Sequence, residues 1–521
     1  MTIQTQDAPR SLPLRRSFSW QTVFAALVLF EFSTLLVALL IPQRAADLHA
    51  AYGQLLIAAL AGFYFAAAGL PRKAELRIFL LWMVWLLLSR WLNRDFYLFL
   101  DRPILLNNLL SFLLLAAGTV LDAKQRQRFL LALTVVYAGF FVLAGAAALF
   151  VVLTGTFLHI PPENIWITLF PRGYYGMKMR TLNLFSVHRL TTAPRLFLAW
   201  CLLLVQILRV RRKLWVVPLG LGMLILHLAV SLCFSRSVQI SFSVACALAA
   251  LLAVYRRPGL SGAKRLLLLV LVPLLCLPLA YKSFDLCSVV VTKLRAEILP
   301  RYELLYRNSG RTFDPDGYFG LEADVPDETE AETDTADGKD AEVSTAAAAS
   351  EPQKNTDEED LFTDPRRLAG NVTLTGRTGI WMSIIPSVRE KPSILFYGQP
   401  NKAIMPLANK YIPSTEYKAH MHNLFAQAFM LTGLPGVLLV FGWCVLLLVK
   451  MLRAFFRRAE AAPLSCVLLT IPLSCVLLYN MVEVIVFTKF DVCGYVFLLL
   501  AGLFLAEYEE LSPRGAKKAE D

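Results

Sequence analysis

Three stretches of the chain place basic side chains where proton transfer or anion binding needs them. In "EYKAHMHNLFAQAFMLTGLPGVLLVFGW", His420, His422 and Asn423 stand at the mouth of a long apolar run, in a chain with only six histidines. An imidazole titrates near neutrality, so a histidine there is a candidate general base, with an interfacial histidine as the plainer reading. Arg236 lies in "SLCFSRSVQISF" between Ser235 and Ser237, and Arg377 lies in "LTGRTGIWMSIIPSVREKPSILFYGQP". A guanidinium is a permanent charge with a planar fork of donors that matches phosphate. His420 and His422 have no carboxylate or cysteine at metal-ligand spacing, and the nine cysteines include no Cys-x-x-Cys. No metal is therefore expected, and the cysteines read as small apolar packing residues.

The elements that must position these residues are membrane helices. The chain has 521 residues, is 57% hydrophobic and 17% charged, and has a mean hydropathy of +0.55. Several stretches of about 20 apolar residues are long enough to cross a bilayer. The fold class expected is an all-α polytopic membrane protein with about 12 spans, roughly 19–42, 51–70, 75–93, 103–121, 129–155, 194–210, 213–233, 237–255, 266–283, 423–449, 463–487 and 490–508. The basic N-terminus "APRSLPLRRSFSW" leads into the first span without a cleavage site and reads as a signal anchor. The loops "PRKAELR", "DAKQRQR", "RVRRK", "YRRPGLSGAKR" and "KMLRAFFRR" fall on the same side as that N-terminus, as does "SPRGAKK". The excess of Lys and Arg predicts that both termini are cytoplasmic.

This divides the chain into a cytoplasmic tail (1–18), a membrane domain of nine spans (19–283), one large external loop domain (284–422), three further spans (423–508) and a second cytoplasmic tail (509–521). A shorter external segment covers about 156–193. The middle of the large loop, about 314–364, is acidic and poor in large apolar residues, so it reads as a disordered insert. Its flanks are basic, including Arg301, Arg307, Arg366, Arg367 and Arg389. External arginines fit either an anionic ligand or contact with headgroups and the acidic tract.

Arg236 falls at the outer membrane boundary, because the seventh and eighth spans are joined by almost no loop; it must snorkel, pair with an acid or hold an anion. Ile380, Ile384, Ile385 and Val388 recur at helical spacing, which puts Arg377 near the start of a short amphipathic helix. Pro392 to Gly398 reads as a turn. Gly433, Pro435 and Gly436 should weaken the helix that follows His422. Glu31 and Glu483 are acids expected inside the first and eleventh spans, where a carboxylate is paired, protonated or functional.

Together these segments carry a resemblance. "SRS" at the end of an outgoing span, "GRTGIW" followed by "YGQP", and "HNLFAQAFMLTGLPG" opening the next span are similar, in order and topology, to the O-antigen ligase/polymerase family over about 194–508. That family comprises bacterial membrane glycosyltransferases of the GT-C class. The resemblance implies transfer of a glycan from a polyprenyl (undecaprenyl) pyrophosphate to an acceptor hydroxyl on the external face of the cytoplasmic membrane, with inversion and without metal or cofactor. The partners implied are the lipid-linked donor, a glycan, glycolipid or cell-wall acceptor, and membrane lipids, with no nucleic acid. It gives His422 the role of base and Arg236 and Arg377 that of stabilising the leaving pyrophosphate. Asn423, Arg189, Arg389, His420 and Glu483 are expected to bind substrate, His420 also being the rival base. Ser237 stands where many relatives have glycine, and after Arg189 and Pro194 the asparagine of the family pattern is missing.

Two other classes compete. A lipid-glycan flippase should show an internal repeat and a charged central path; neither is evident, and the polar cluster lies on one face. A membrane sensor would not need His422 and two arginines to converge.

Overall fold

The computed structural model describes residues 26–30, 33, 36, 73–93, 102–154, 175–178, 181–184, 189–210, 212–233, 235–255, 257, 262–308, 375–412, 420–456, 464–487 and 491–510. The first two expected spans lie almost wholly outside these residues, as do Glu31 and the acidic insert at 314–364.

The described elements are helices joined to one short hairpin. They are α1 (Ala74–Leu92), α2 (Arg102–Val120), α3 (Ala123–Leu133), α4 (Gly139–Thr154), β1 (Tyr175–Lys178), β2 (Thr181–Leu184), α5 (Arg189–Arg209), α6 (Val216–Ser231), α7 (Arg236–Tyr255) and α8 (Gly262–Asn308). Then follow α9 (Thr375–Met382), α10 (Ile384–Glu390), α11 (Ile394–Tyr397), α12 (Asn401–Asn409), α13 (Leu424–Phe456), α14 (Leu464–Asn480) and α15 (Val492–Glu510). β1 and β2 pair antiparallel, Tyr175 opposite Leu184, in the segment between the fifth and sixth expected spans. A wide π turn, Thr134–Ala138, joins α3 to α4.

Among the described residues seven helical segments are long and apolar enough to cross a membrane: 123–154, 191–209, 213–231, 236–255, 262–298, 424–456 and 492–510. The chain is a multi-pass helical membrane protein. In an apolar medium the backbone must satisfy its own N–H and C=O groups, which helices do within one segment. α8 differs from the hydropathy reading. Apolarity falls off near residue 283, but the helix runs on to Asn308, because Lys, Arg, Glu and Leu after that point are good helix formers.

Two features orient the bundle. At one end, ion pairs join α1, α3, α13 and α15: Lys73 to Glu509 at 3.1 Å, Glu75 to Lys450 at 2.6 Å, and Arg126 to Glu510. Within the bundle, Arg195 of α5 donates from Nε and Nη2 to Asp491, at 3.1 and 2.8 Å to Oδ2. Asp491 also accepts from the amide of Cys493 and so caps α15. Both members of the pair are buried. The ends of α6 and α14 and the starts of α5, α7, α13 and α15 face away from the ion-pair end, and the candidate site is built there.

Candidate functional site

The site starts from a helix cap. The Asn423 side-chain oxygen accepts from the amides of Phe425 and Ala426, at 2.9 and 3.0 Å. It thereby satisfies donors that the first turn of α13 cannot pair internally. The same side chain donates to the carbonyl of Met481 at 2.7 Å, tying the mouth of α13 to the end of α14. His422, just before the cap, has φ +48°. This left-handed backbone is uncommon for a residue with a Cβ. It turns the chain sharply and takes the imidazole out of the helix. His422 therefore does not share a helix face with Asn423 and Gln427. Gln427 instead accepts from the amide of Met421 at 3.1 Å.

Glu483 lies on a different kind of segment from the one expected. α14 ends at Asn480, and residues 481–487 form a non-helical turn, buried from Glu483 to Phe487. Irregular backbone at membrane depth is tolerated where protein covers it. Asn480 closes this turn by accepting from the amide of Ile485 at 3.1 Å. Phe487, at φ +66°, anchors it among Phe79, Trp82 and Trp443, with ring centroids 5.1–5.3 Å away. Uninterrupted apolarity hid the break; the acid at 483 and the asparagine at 480 were its only signals.

These segments bring four charged or titratable side chains together. Nδ1 of His422 is 3.0 Å from Oε2 of Glu483, and Nε2 of His420 is 3.2 Å from Oε1. The Arg377 guanidinium lies 3.6 Å from Oε2. The carboxylate is 1% exposed, against 22% for His420, 16% for His422 and 24% for Arg377. The acid thus sits behind a layer of three bases that reach the surface. The two imidazoles are in contact, with centroids 3.9 Å apart and planes tilted by 42°. The amide of His422 donates to Nδ1 of His420 at 3.2 Å, so His420 carries its proton on Nε2, toward Glu483. An ionised carboxylate only accepts, so His422 in turn carries its proton on Nδ1. Its Nε2 is then the basic nitrogen.

Arg377 is positioned by α9. The amphipathic pattern predicts a single helix, but α9 and α10 are separate, divided at Ser383. Pro386 lacks the N–H that would bond to the Met382 carbonyl, and the backbone breaks there. On α9, Trp381 stands one turn after Arg377 and donates to the Met421 carbonyl at 3.0 Å, between the two histidines in sequence. Arg377 also donates to the Ser237 hydroxyl at 3.4 Å. This contact brings the start of α7 into the site, and Arg236, exposed at its first position, with it. Arg389 is exposed at the end of α10 and makes none of the contacts of the cluster. Arg189 opens α5; its side chain lies outside the described residues.

A glycine pair and α1 fix the depth of this assembly. Gly398 and Gly433 have φ +67° and +69°. A Cβ on Gly398 would lie 2.3 Å from the Leu431 carbonyl carbon, and one on Gly433 would lie 2.5 Å from that of Phe396. The turn after α11 is therefore pressed into the kink of α13, which Gly433 breaks as the sequence leads one to expect. The kink frees carbonyls that α1 takes up: Trp85 donates to Thr432 at 2.8 Å, and Ser89 to Tyr397 and Leu431. Arg90 donates to Gln399 at 3.0 Å. None of these α1 residues stood out in the sequence, because Trp and Ser inside an apolar helix are ordinary.

Comparison with known proteins adds a family match over part of the chain. No curated protein matches the chain. Residues 221–441 match a family model described as O-antigen ligase, a stretch that runs from α6 through α13 and includes Arg236, Arg377 and His422. Over that stretch the chain is similar to the O-antigen ligase family, which supports the resemblance read from its motifs.

Proposed function

We propose that the chain transfers a glycan from a polyprenyl pyrophosphate to an acceptor hydroxyl, on the external face of a bacterial cytoplasmic membrane, as a ligase or polymerase of cell-surface polysaccharide. The match to the O-antigen ligase family over residues 221–441 supports ligase- or polymerase-like glycan processing with lipid-linked glycan and acceptor as partners. The observation that carries the finer reading is the hydrogen bond between His422 and the buried carboxylate of Glu483. A base needs its tautomer fixed and its basic nitrogen exposed, and this pair provides both.

In the proposed step, Nε2 of His422 takes the proton of the acceptor hydroxyl. The hydroxyl oxygen forms a bond to the anomeric carbon as the bond from that carbon to the phosphate oxygen breaks. The electron pair leaves with the lipid pyrophosphate, and a single displacement inverts the anomeric centre. Arg377 and Arg236 stabilise the charge that develops on the leaving group. Cations already fixed in place act without reorganisation at the moment of reaction. Glu483 stabilises the imidazolium that forms and keeps its ring in place. Asn423 is a positioning residue, since its side chain is committed to the helix cap and to Met481. Twelve spans of GT-C type with both termini cytoplasmic complete the proposal. The ion-pair end of the bundle then faces the cytoplasm and His422 faces outward.

The test is a transfer reaction with purified protein in lipid, a polyprenyl-pyrophosphate glycan and EDTA. The proposal predicts larger glycan products with inverted anomeric configuration. Movement of the donor between leaflets without product would contradict it and favour a flippase.

A further inference from the structure

The sequence offers His420 and His422 no carboxylate partner; the fold supplies one from the α14–α15 turn. His420, His422 and Glu483 each present a ligand atom, all within 4.8 Å of one another. We infer that these three side chains also form a binding site for a borderline divalent transition metal such as Zn²⁺ or Co²⁺, and that the metal inhibits the chain by occupying them. The inference rests on the proposed function only for the inhibition, since metal uptake can be read without any transfer.

The geometry suits the ion. Zn²⁺ binds imidazole nitrogen and carboxylate oxygen at about 2.1 Å, so neighbouring ligands of a tetrahedral site lie about 3.4 Å apart. The observed edges, 3.0 Å from His422 Nδ1 to Glu483 and 3.2 Å from His420 Nε2 to Glu483, are close to that already. His422 Nδ1 is hydrogen-bonded to one carboxylate oxygen and His420 Nε2 lies 3.2 Å from the other, so the three ligand atoms are already gathered. Nδ1 of His420 accepts from the amide of His422 at 3.2 Å, so a metal at Nε2 moves the ring proton to Nδ1 and breaks that hydrogen bond. The remaining positions of the ion face the open side of the imidazoles and take water. Two imidazoles and a carboxylate favour Zn²⁺ or Co²⁺ over Mg²⁺ or Ca²⁺, which prefer all-oxygen sites.

One charge opposes the ion. Arg377 lies 3.6 Å from the carboxylate oxygen that faces His422 and competes for it. This gives the site a signature that general loss of structure cannot mimic. Removing Arg377 weakens transfer but tightens metal binding.

The experiment is a Co²⁺ titration of the full chain in lipid, followed by absorption and by displacement with Zn²⁺, on wild type, Glu483→Gln, His420→Ala and Arg377→Gln. Monodisperse elution confirms that each variant is folded. The expected result is one equivalent bound by wild type, at least a tenfold weaker affinity for Glu483→Gln and for His420→Ala, and a several-fold tighter affinity for Arg377→Gln. In parallel, Zn²⁺ should stop transfer and EDTA restore it. No stoichiometric uptake, or uptake unchanged by Glu483→Gln and His420→Ala, overturns the site. Uptake with no transfer under any condition removes the proposed function and leaves the metal site standing. Transfer that Zn²⁺ does not touch overturns the inhibition and leaves the proposed function standing.

Discussion

His422 and Glu483 are 61 positions apart in the chain and 3.0 Å apart in space. Two local devices create this distance. Asn423 caps α13 and bonds to Met481, while the turn after α14 holds the carboxylate under the imidazole. The proposed base and the group that fixes its tautomer thus come from the two sides of a single helix-to-helix tie.

The two arginines should not tolerate lysine. Arg236→Lys and Arg377→Lys keep the charge but lose the planar fork. Each should lower the turnover rate by about 10²–10³, the usual cost of removing one donor to a developing anion. Initial rates on the lipid-linked donor, at equal protein abundance, measure this.

Asn423 should separate stability from assembly of the site. Asn423→Ala removes a helix cap, at a cost of about 1 kcal/mol, and also the tie to Met481. Asn423→Ser restores a cap and cannot reach Met481 in the same way. Thermal unfolding in lipid should therefore recover in the serine variant while transfer stays low. Equal recovery of both would make Asn423 a cap and nothing more.

The glycine pair should be intolerant at both members. Gly398→Ala and Gly433→Ala each place a Cβ against backbone and force a left-handed φ on alanine. The backbone strain alone is about 1–3 kcal/mol. Each variant should unfold at a lower temperature than wild type, and combining the two should give no rescue, because each Cβ meets main chain and not the other Cβ.

A surface tie should respond to acid. Lys410 donates to Glu390 at 2.7 Å and Tyr411 donates to the same carboxylate, joining α10 to the chain just after α12. These hydrogen bonds hold the Glu390 carboxyl below the ordinary carboxylate value. A depressed value means that the tie contributes in full above the ordinary carboxylate range and is lost as pH falls through the lowered one. The protection of residues 384–412 against hydrogen exchange, relative to the intrinsic rate at each pH, should be flat from neutral pH to mildly acidic, then fall. Glu390→Gln should show low protection throughout and no such step.

That the chain is a multi-pass helical membrane protein was legible in the sequence because apolar length is a one-dimensional signal. His420, His422, Arg377 and Glu483 could also be named from residue type and position. Their arrangement could not. The sequence puts the acid inside a helix, because in "LLYNMVEVIVF" only Asn480 and Glu483 hint at the break after Asn480. Its partnership with the histidines is a long-range contact that no spacing encodes. α1 was legible as a span, but its role in satisfying the carbonyls of the α13 kink depends on a neighbour more than 300 residues away. Arg389 was chosen for charge alone, and the fold leaves it at the surface.

The most direct test of the account is a double-mutant cycle on His422 and Glu483, read as initial transfer rates from a polyprenyl-pyrophosphate glycan. His422→Ala should cost about 10²–10⁴, the usual range for a general base. Glu483→Gln should cost less on its own, and in the double variant it should add little, because a residue that acts through the base has nothing left to act on. Losses that multiply, or a His422→Ala variant that transfers at the wild-type rate, would contradict the account.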